Sequence, residues 1–119
     1  MLNKAVQDAI NEQIKNEIYS AYLYLAMSAQ FEAESLPGFA KWTRMQADEE
    51  MEHAMKLFDF VNERGGRVEL MAIDQPPKEF GAPLQVFEQI LAQPGIDGNL
   101  PESLRRWIAW RRVHDNWPR

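Results

Sequence analysis

Residues 1 to 36 and 39 to 64 contain neither glycine nor proline, and only Pro37-Gly38 separates the two runs. Runs of that length have few folded destinations, because glycine and proline are the residues that normally end or kink a helix. The first run predicts a helix over about residues 3–34, about 50 Å long at the ordinary helical rise. The second predicts a helix over 39–64, stopped by Gly65-Gly66. A turn at Leu36-Pro37-Gly38 is too short to do anything but fold the second helix back along the first, so the two are expected as antiparallel neighbours. Periodicity supplies each with an apolar face. Val6, Ile10, Ile14, Ala21 and Leu25 form one; Phe39, Trp42, Thr43, Gln46, Leu57, Phe60 and Val61 form the other.

Ionisable residues interrupt both faces. Glu17 stands between Ile14 and Ala21, with Tyr24 two turns further along, and Glu50 and His53 stand between Gln46 and Leu57. The spacing Glu-x-x-His points both side chains the same way on a helix, which suits a single metal ion. Read alone, Asp48-Glu49-Glu50-Met51-Glu52-His53 is a solvated charged face, Glu17 a surface residue at the edge of a stripe, and Tyr24 a packed aromatic. Against this, Glu52 points away from the apolar face while Glu50 and His53 lie on it. A carboxylate buried alone in apolar surroundings is strongly disfavoured unless it is paired or coordinates a metal, so these positions call for a cation. The methionines, Met27, Met45, Met51 and Met55 among them, are read as core or interface residues.

Beyond residue 66 the chain changes character. Val68, Leu70 and Ile73 alternate with polar residues, and Pro76, Pro77, Gly81 and Pro83 punctuate a long crossover connection. A third helix is expected over 83–92, with Leu84, Val86, Phe87, Ile90 and Leu91 apolar, and Gln93-Pro94-Gly95 cuts it short. Residues 102 to 114 are expected as a short helix. Residues 1–100 hold 8 Lys+Arg against 16 Asp+Glu, a balance of −8, whereas residues 101–119 hold 5 Arg against Glu102 and Asp115, a balance of +3. An acidic body repels nucleic acid and attracts cations. The absence of cysteine removes disulfides, thiolate catalysis and Cys-type zinc sites. With no apolar run approaching a membrane span and no secretory pattern in the first residues, a cytoplasmic location without membrane or nucleic-acid partners is the expectation.

Several stretches together resemble a bacterial non-haem ferritin. They are Asn-Glu-Gln-Ile-Lys-Asn-Glu-Ile-Tyr-Ser-Ala-Tyr-Leu-Tyr-Leu-Ala-Met over 11–27, Leu-Pro-Gly-Phe-Ala-Lys-Trp over 36–42 and Asp-Glu-Glu-Met-Glu-His-Ala-Met-Lys-Leu-Phe-Asp-Phe over 48–60. To these add Arg-Gly-Gly-Arg-Val-Glu-Leu over 64–70, leading into Ala-Pro-Leu-Gln-Val-Phe-Glu-Gln-Ile-Leu-Ala over 82–92. The resemblance implies an all-α, ferritin-like four-helix bundle with a long crossover, assembly into a homo-oligomeric cage, and oxidation of ferrous iron by dioxygen for storage as a ferric mineral. Carried onto this sequence, it makes Glu17 a terminal carboxylate ligand of iron, Glu50 the bridging carboxylate, His53 the imidazole ligand and Tyr24 the tyrosine beside the centre. Glu49 resembles an acidic residue that helps hold a further iron in some bacterial members.

The resemblance stops at residue 92. Gln93-Pro94 stands where the family continues its third helix with a His-Glu pair, and the fourth helix has no counterpart. The expected organisation is therefore a partial ferritin-like domain over 1–92, an antiparallel helix pair with an incomplete third helix. A divergent Arg- and Trp-rich tail over 93–119 follows, read as truncated or frame-shifted sequence ahead of a dimer-stabilising flap or a small basic patch. In ferritin-like di-iron proteins a Glu from each of two helices joins a Glu-x-x-His from each of the other two. This chain holds one of each, so two copies related by a two-fold axis would supply the set. Leu25, Phe31, Phe39, Leu57 and Phe60 would otherwise lie largely in water, each worth ~1.5 to 3 kcal/mol when buried, so a homodimer or larger species is expected. If a complete site is assembled, its activity is that of a ferroxidase; the other reading is a non-enzymatic helical remnant that dimerises without mineralising iron.

Overall fold

A computed structural model of the chain describes residues 2–82, 85, 86 and 88. The chain divides into two units, residues 1–78 and 79–119. The first contains α1 (Lys4–Ala33) and α2 (Pro37–Glu63), and no strand lies among the described residues.

Each helix end is explained by its local sequence. Asn3 caps α1, its side-chain oxygen accepting from the Val6 amide at 3.0 Å. At the other end Leu36 N–H donates to Phe31 O and Ser35 N–H to Glu32 O, the paired bonds of a Schellman turn, and Ser35 takes the left-handed conformation at φ 60°. Leu36 lies outside the helical region at φ −115° and ψ 70°, as the residue before a proline is pushed to do, and Pro37 opens α2, where its missing N–H costs nothing. The expected turn at 36–38 is thus shorter: Pro37 and Gly38 belong to the helix. α2 ends in a second Schellman turn, with Gly66 N–H on Val61 O, Gly65 N–H on Asn62 O and Gly65 at φ 72°.

Three contacts establish that the helices run antiparallel. Ser28 donates to Ala40 O at 2.7 Å near the turn, Glu17 Oε2 lies 3.7 Å from His53 Nδ1 at mid-length, and Asn11 reaches Arg67 at the far end. Ile14, Ala21, Tyr24, Met27 and Phe31 of α1 are buried, as are Ala40, Trp42, Ala47, Ala54 and Val61 of α2. Two expectations change here. Leu25 and Val6, placed in the apolar stripe, are 46% and 44% exposed. Phe31, expected largely in water, is fully buried, its ring tilted against Phe39 at 5.7 Å between centroids.

The crossover leaves α2 without regular structure and is tied to α1 by amide side chains. Asn11 donates through Nδ2 to Arg67 O at 3.0 Å and accepts through Oδ1 from Glu69 N–H at 3.2 Å, while Gln7 Oε1 accepts from Arg67 N–H at 2.9 Å. Gly66 makes the approach possible: a Cβ there would lie 3.0 Å from both Gln7 Oε1 and a Leu2 methyl. In the second unit Gln85, Val86 and Glu88 are helical. The Gln85 side chain accepts from Ala82 N–H at 2.9 Å and Val86 N–H donates to Ala82 O, with Gly81 at φ 80° leaving room for the Gln85 amide. The boundary at residue 92, the expected helix over 102–114 and the whole tail lie outside the described residues.

Candidate metal centre

The antiparallel register carries the carboxylate of α1 to the Glu-x-x-His of α2. Glu17, Glu50 and His53 each offer a ligand atom, and these atoms lie within 4.8 Å of one another. His53 Nδ1 is 3.7 Å from Glu17 Oε2 and 3.8 Å from Glu50 Oε2. Both carboxylates are half-buried, their side chains 19% and 20% exposed, whereas the His53 side chain is 55% exposed and leaves the trio open on that flank. His53 was expected on the buried face; the structure puts it at the edge. Glu52 is exposed, as its helical position predicts.

Crowding two carboxyls in partial burial sets their proton occupancy. Glu50 is pushed up to about 8, first by burial, then by its hydrogen bond to Glu17 and the repulsion of Glu17 and Glu49. Burial would also raise Glu17, yet hydrogen bonds from Glu50 and Gln13, with the attraction of His53, hold it below the usual carboxylate range. Near neutral pH the pair therefore shares one proton, carried by Glu50. A divalent ion lifts the reason for holding it, since both carboxylates then face a cation.

Tyr24, two helical turns from Glu17 on the same face of α1, is fully buried. Burial and the nearby charges of Glu50 and Glu49 raise its phenol well above the usual tyrosine range, so it stays a neutral O–H. Such a group can donate a hydrogen bond beside the centre but does not ionise to become an anionic ligand. Glu49 is exposed and does not join the trio. Gln13, which the sequence reading passed over, donates from Nε2 to Glu17 Oε1 at 2.9 Å and fixes that carboxylate. Its signal was the four-residue spacing to Glu17 on one helix face.

The chemistry open to this donor set is defined by its softness. Carboxylate and imidazole together suit divalent iron, manganese or zinc, and the exposed flank leaves coordination positions free.

This helix pair with its trio has recognisable relatives. The ferritin-like domain family matches residues 7–94. The chain is 46% identical over 104 residues to the bacterial non-heme ferritin of Bacteroides fragilis, covering 87% of this chain and 65% of that protein. It is 44% identical over 93 residues to that of Staphylococcus saprophyticus, covering 78% and 56%. Among solved structures, an open-pore ferritin from the hyperthermophilic archaeon Archaeoglobus fulgidus superposes with a TM-score of 0.73 at 52% identity, over 75% of this chain and 54% of that one. A humanized archaeal ferritin superposes with a TM-score of 0.75 at 38% identity, over 98% and 70%. The chain belongs to the ferritin-like family. It spans between 56% and 65% of the length of these bacterial relatives. The Bacteroides match, at 104 residues, is longer than the 92 over which the sequence alone carried the resemblance.

Proposed function

We propose that this chain binds ferrous iron through Glu17, Glu50 and His53 and, with dioxygen as electron acceptor, oxidises it for storage. The observation that carries this reading is the convergence of three donor atoms from two helices within 4.8 Å, on a chain of the ferritin-like family. In this role Glu17 and His53 are terminal ligands, Glu50 is the carboxylate placed to face a second ion, and Gln13 orients Glu17. The neutral Tyr24 hydroxyl is a hydrogen-bond donor at the edge of the centre. Each ferrous ion surrenders one electron, so two ions held together match a two-electron reduction of dioxygen. The protein acts in the cytoplasm as a homo-oligomer. Among the described residues no helix is long and apolar enough to cross a membrane.

Aerobic titration with ferrous iron tests this reading. Oxidation should be saturable and exceed the protein-free rate, and Glu50→Ala or His53→Ala should lower it by roughly 10- to 100-fold, the scale seen when a metal site loses a supporting group. A rate equal to background in the unaltered protein, or unchanged by both substitutions, contradicts it.

A further inference from the structure

Glu17 presents its two oxygens to different neighbours. Oε1 accepts from Gln13 Nε2 at 2.9 Å, while Oε2 lies 3.7 Å from His53 Nδ1 and so faces the other donors of the trio. Gln13 and Glu17 are four residues apart on α1, so this division of labour is made within one helix. Gln13 is exposed and the Glu17 side chain is 19% exposed, which puts the amide on the solvent side of the carboxylate. An N–H bond to an ionised carboxylate is charge-assisted, so it persists in the form of Glu17 that binds a cation.

Resting on the metal-binding reading above, we propose that Gln13 sets which divalent ions the trio accepts: by holding Oε1 it leaves Glu17 one oxygen to give, so that the three side chains offer one donor atom each and favour small ions over calcium. The reason is ligand count and reach. Calcium takes about six to eight oxygens at about 2.3–2.6 Å, and carboxylates that give both oxygens help to supply them. Zinc and the ions near it in the first transition row take imidazole nitrogen with carboxylate oxygen at about 2.0–2.2 Å and need fewer ligands. Three donors, one of them imidazole, suit the second demand and fall short of the first. Without Gln13, Glu17 is free to add Oε1, and the balance moves towards calcium. Gln13 acts through Glu17, which makes it a positioning residue.

The test titrates cobalt(II) into the unaltered chain, Gln13→Met and Gln13→Lys, with calcium then added as competitor and the visible cobalt absorption recorded throughout. Methionine keeps the length of glutamine without its N–H; lysine restores a donor that reaches four residues along the helix. In Gln13→Met the preference for cobalt over calcium should fall roughly tenfold, the lower end of what loss of a ligand's supporting group causes. Its cobalt bands should also weaken, because an added oxygen raises the coordination number. Gln13→Lys should restore both the preference and the bands; its extra charge weakens the two divalent ions alike. An unchanged preference and spectrum in Gln13→Met, while His53→Ala still abolishes cobalt binding, overturns this inference and leaves the metal-binding reading standing. A Gln13→Lys protein that behaves as Gln13→Met also overturns it, since the donated hydrogen bond would then not be the determinant. No saturable cobalt binding in the unaltered chain removes the metal-binding reading and this inference together.

Discussion

Glu50 is the residue on which proton, fold and the proposed metal site meet. Its folded-state value, raised to about 8, lies above the ordinary carboxyl value of 4.5. Its contribution to the stability of the metal-free fold is therefore complete below about pH 4.5 and lost as pH rises through about 8. Glu17, whose value is lowered, does the reverse and loses its contribution as pH falls. Between pH 6 and 9 the Glu50 effect governs, so the melting temperature of the metal-free protein should fall with rising pH by a few degrees, about 2–4 °C. Glu50→Gln, which keeps the volume and the hydrogen bond without the titration, should flatten that slope; calorimetric melts across the range check it. Metal binding near pH 7 should release about one proton per ion, read from titrations in buffers of different ionisation heat, and the release should vanish in Glu50→Gln. At this scale the sequence disclosed the proposed ligands and concealed their support. Glu50 and His53 announced themselves as charges on an apolar face, and Glu17 as a break in a stripe. Gln13 did not, because an amide at the exposed edge of a helix looks the same whether it faces water or a carboxylate.

The helices owe their limits to single residues. Ser35 holds the left-handed conformation that ends α1, a position where any side chain with a Cβ pays about 1–2 kcal/mol and glycine pays little. Ser35→Gly should stabilise the protein by about 1 kcal/mol, raising its melting temperature by roughly 4 °C without changing metal affinity; an unchanged or lower midpoint would show that the turn draws on something other than backbone conformation. Asn11 is the clasp of the crossover. Fully buried, it satisfies both Arg67 O and Glu69 N–H, so Asn11→Ala breaks two bonds and should cost about 2 kcal/mol in denaturant melts. Helix existence and the antiparallel pairing were legible in the sequence because two long runs free of glycine and proline have no other compact use. The start of α2 at Pro37 was not: proline reads as a breaker until its place at the first helical position is seen. Nor was the Asn11 clasp, which joins positions more than fifty residues apart and leaves no local pattern.

For the molecule as a whole, the arrangement that matters is a pair of helices carrying one carboxylate on α1 and one Glu-x-x-His on α2, brought together by an antiparallel register that the short turn imposes. That register follows from the sequence; the exposure of His53 and the burial of Phe31 follow from side-chain packing that helical periodicity does not resolve. Nine apolar side chains, among them Tyr22, Leu25, Met45, Met55, Leu70 and Met71, remain at least 36% exposed among the described residues. The homo-oligomer proposed above would cover part of such a surface. Family membership fixes the bundle to which the pair belongs, and the donor set fixes the kind of ion it suits. The account as a whole therefore stands on whether Glu17, Glu50 and His53 hold a metal. Crystals soaked anaerobically with ferrous iron and measured on both sides of the iron absorption edge decide this most directly. An anomalous peak within coordination distance of all three side chains is the predicted result, and a map with iron elsewhere or nowhere, while the three side chains point into solvent, would contradict it.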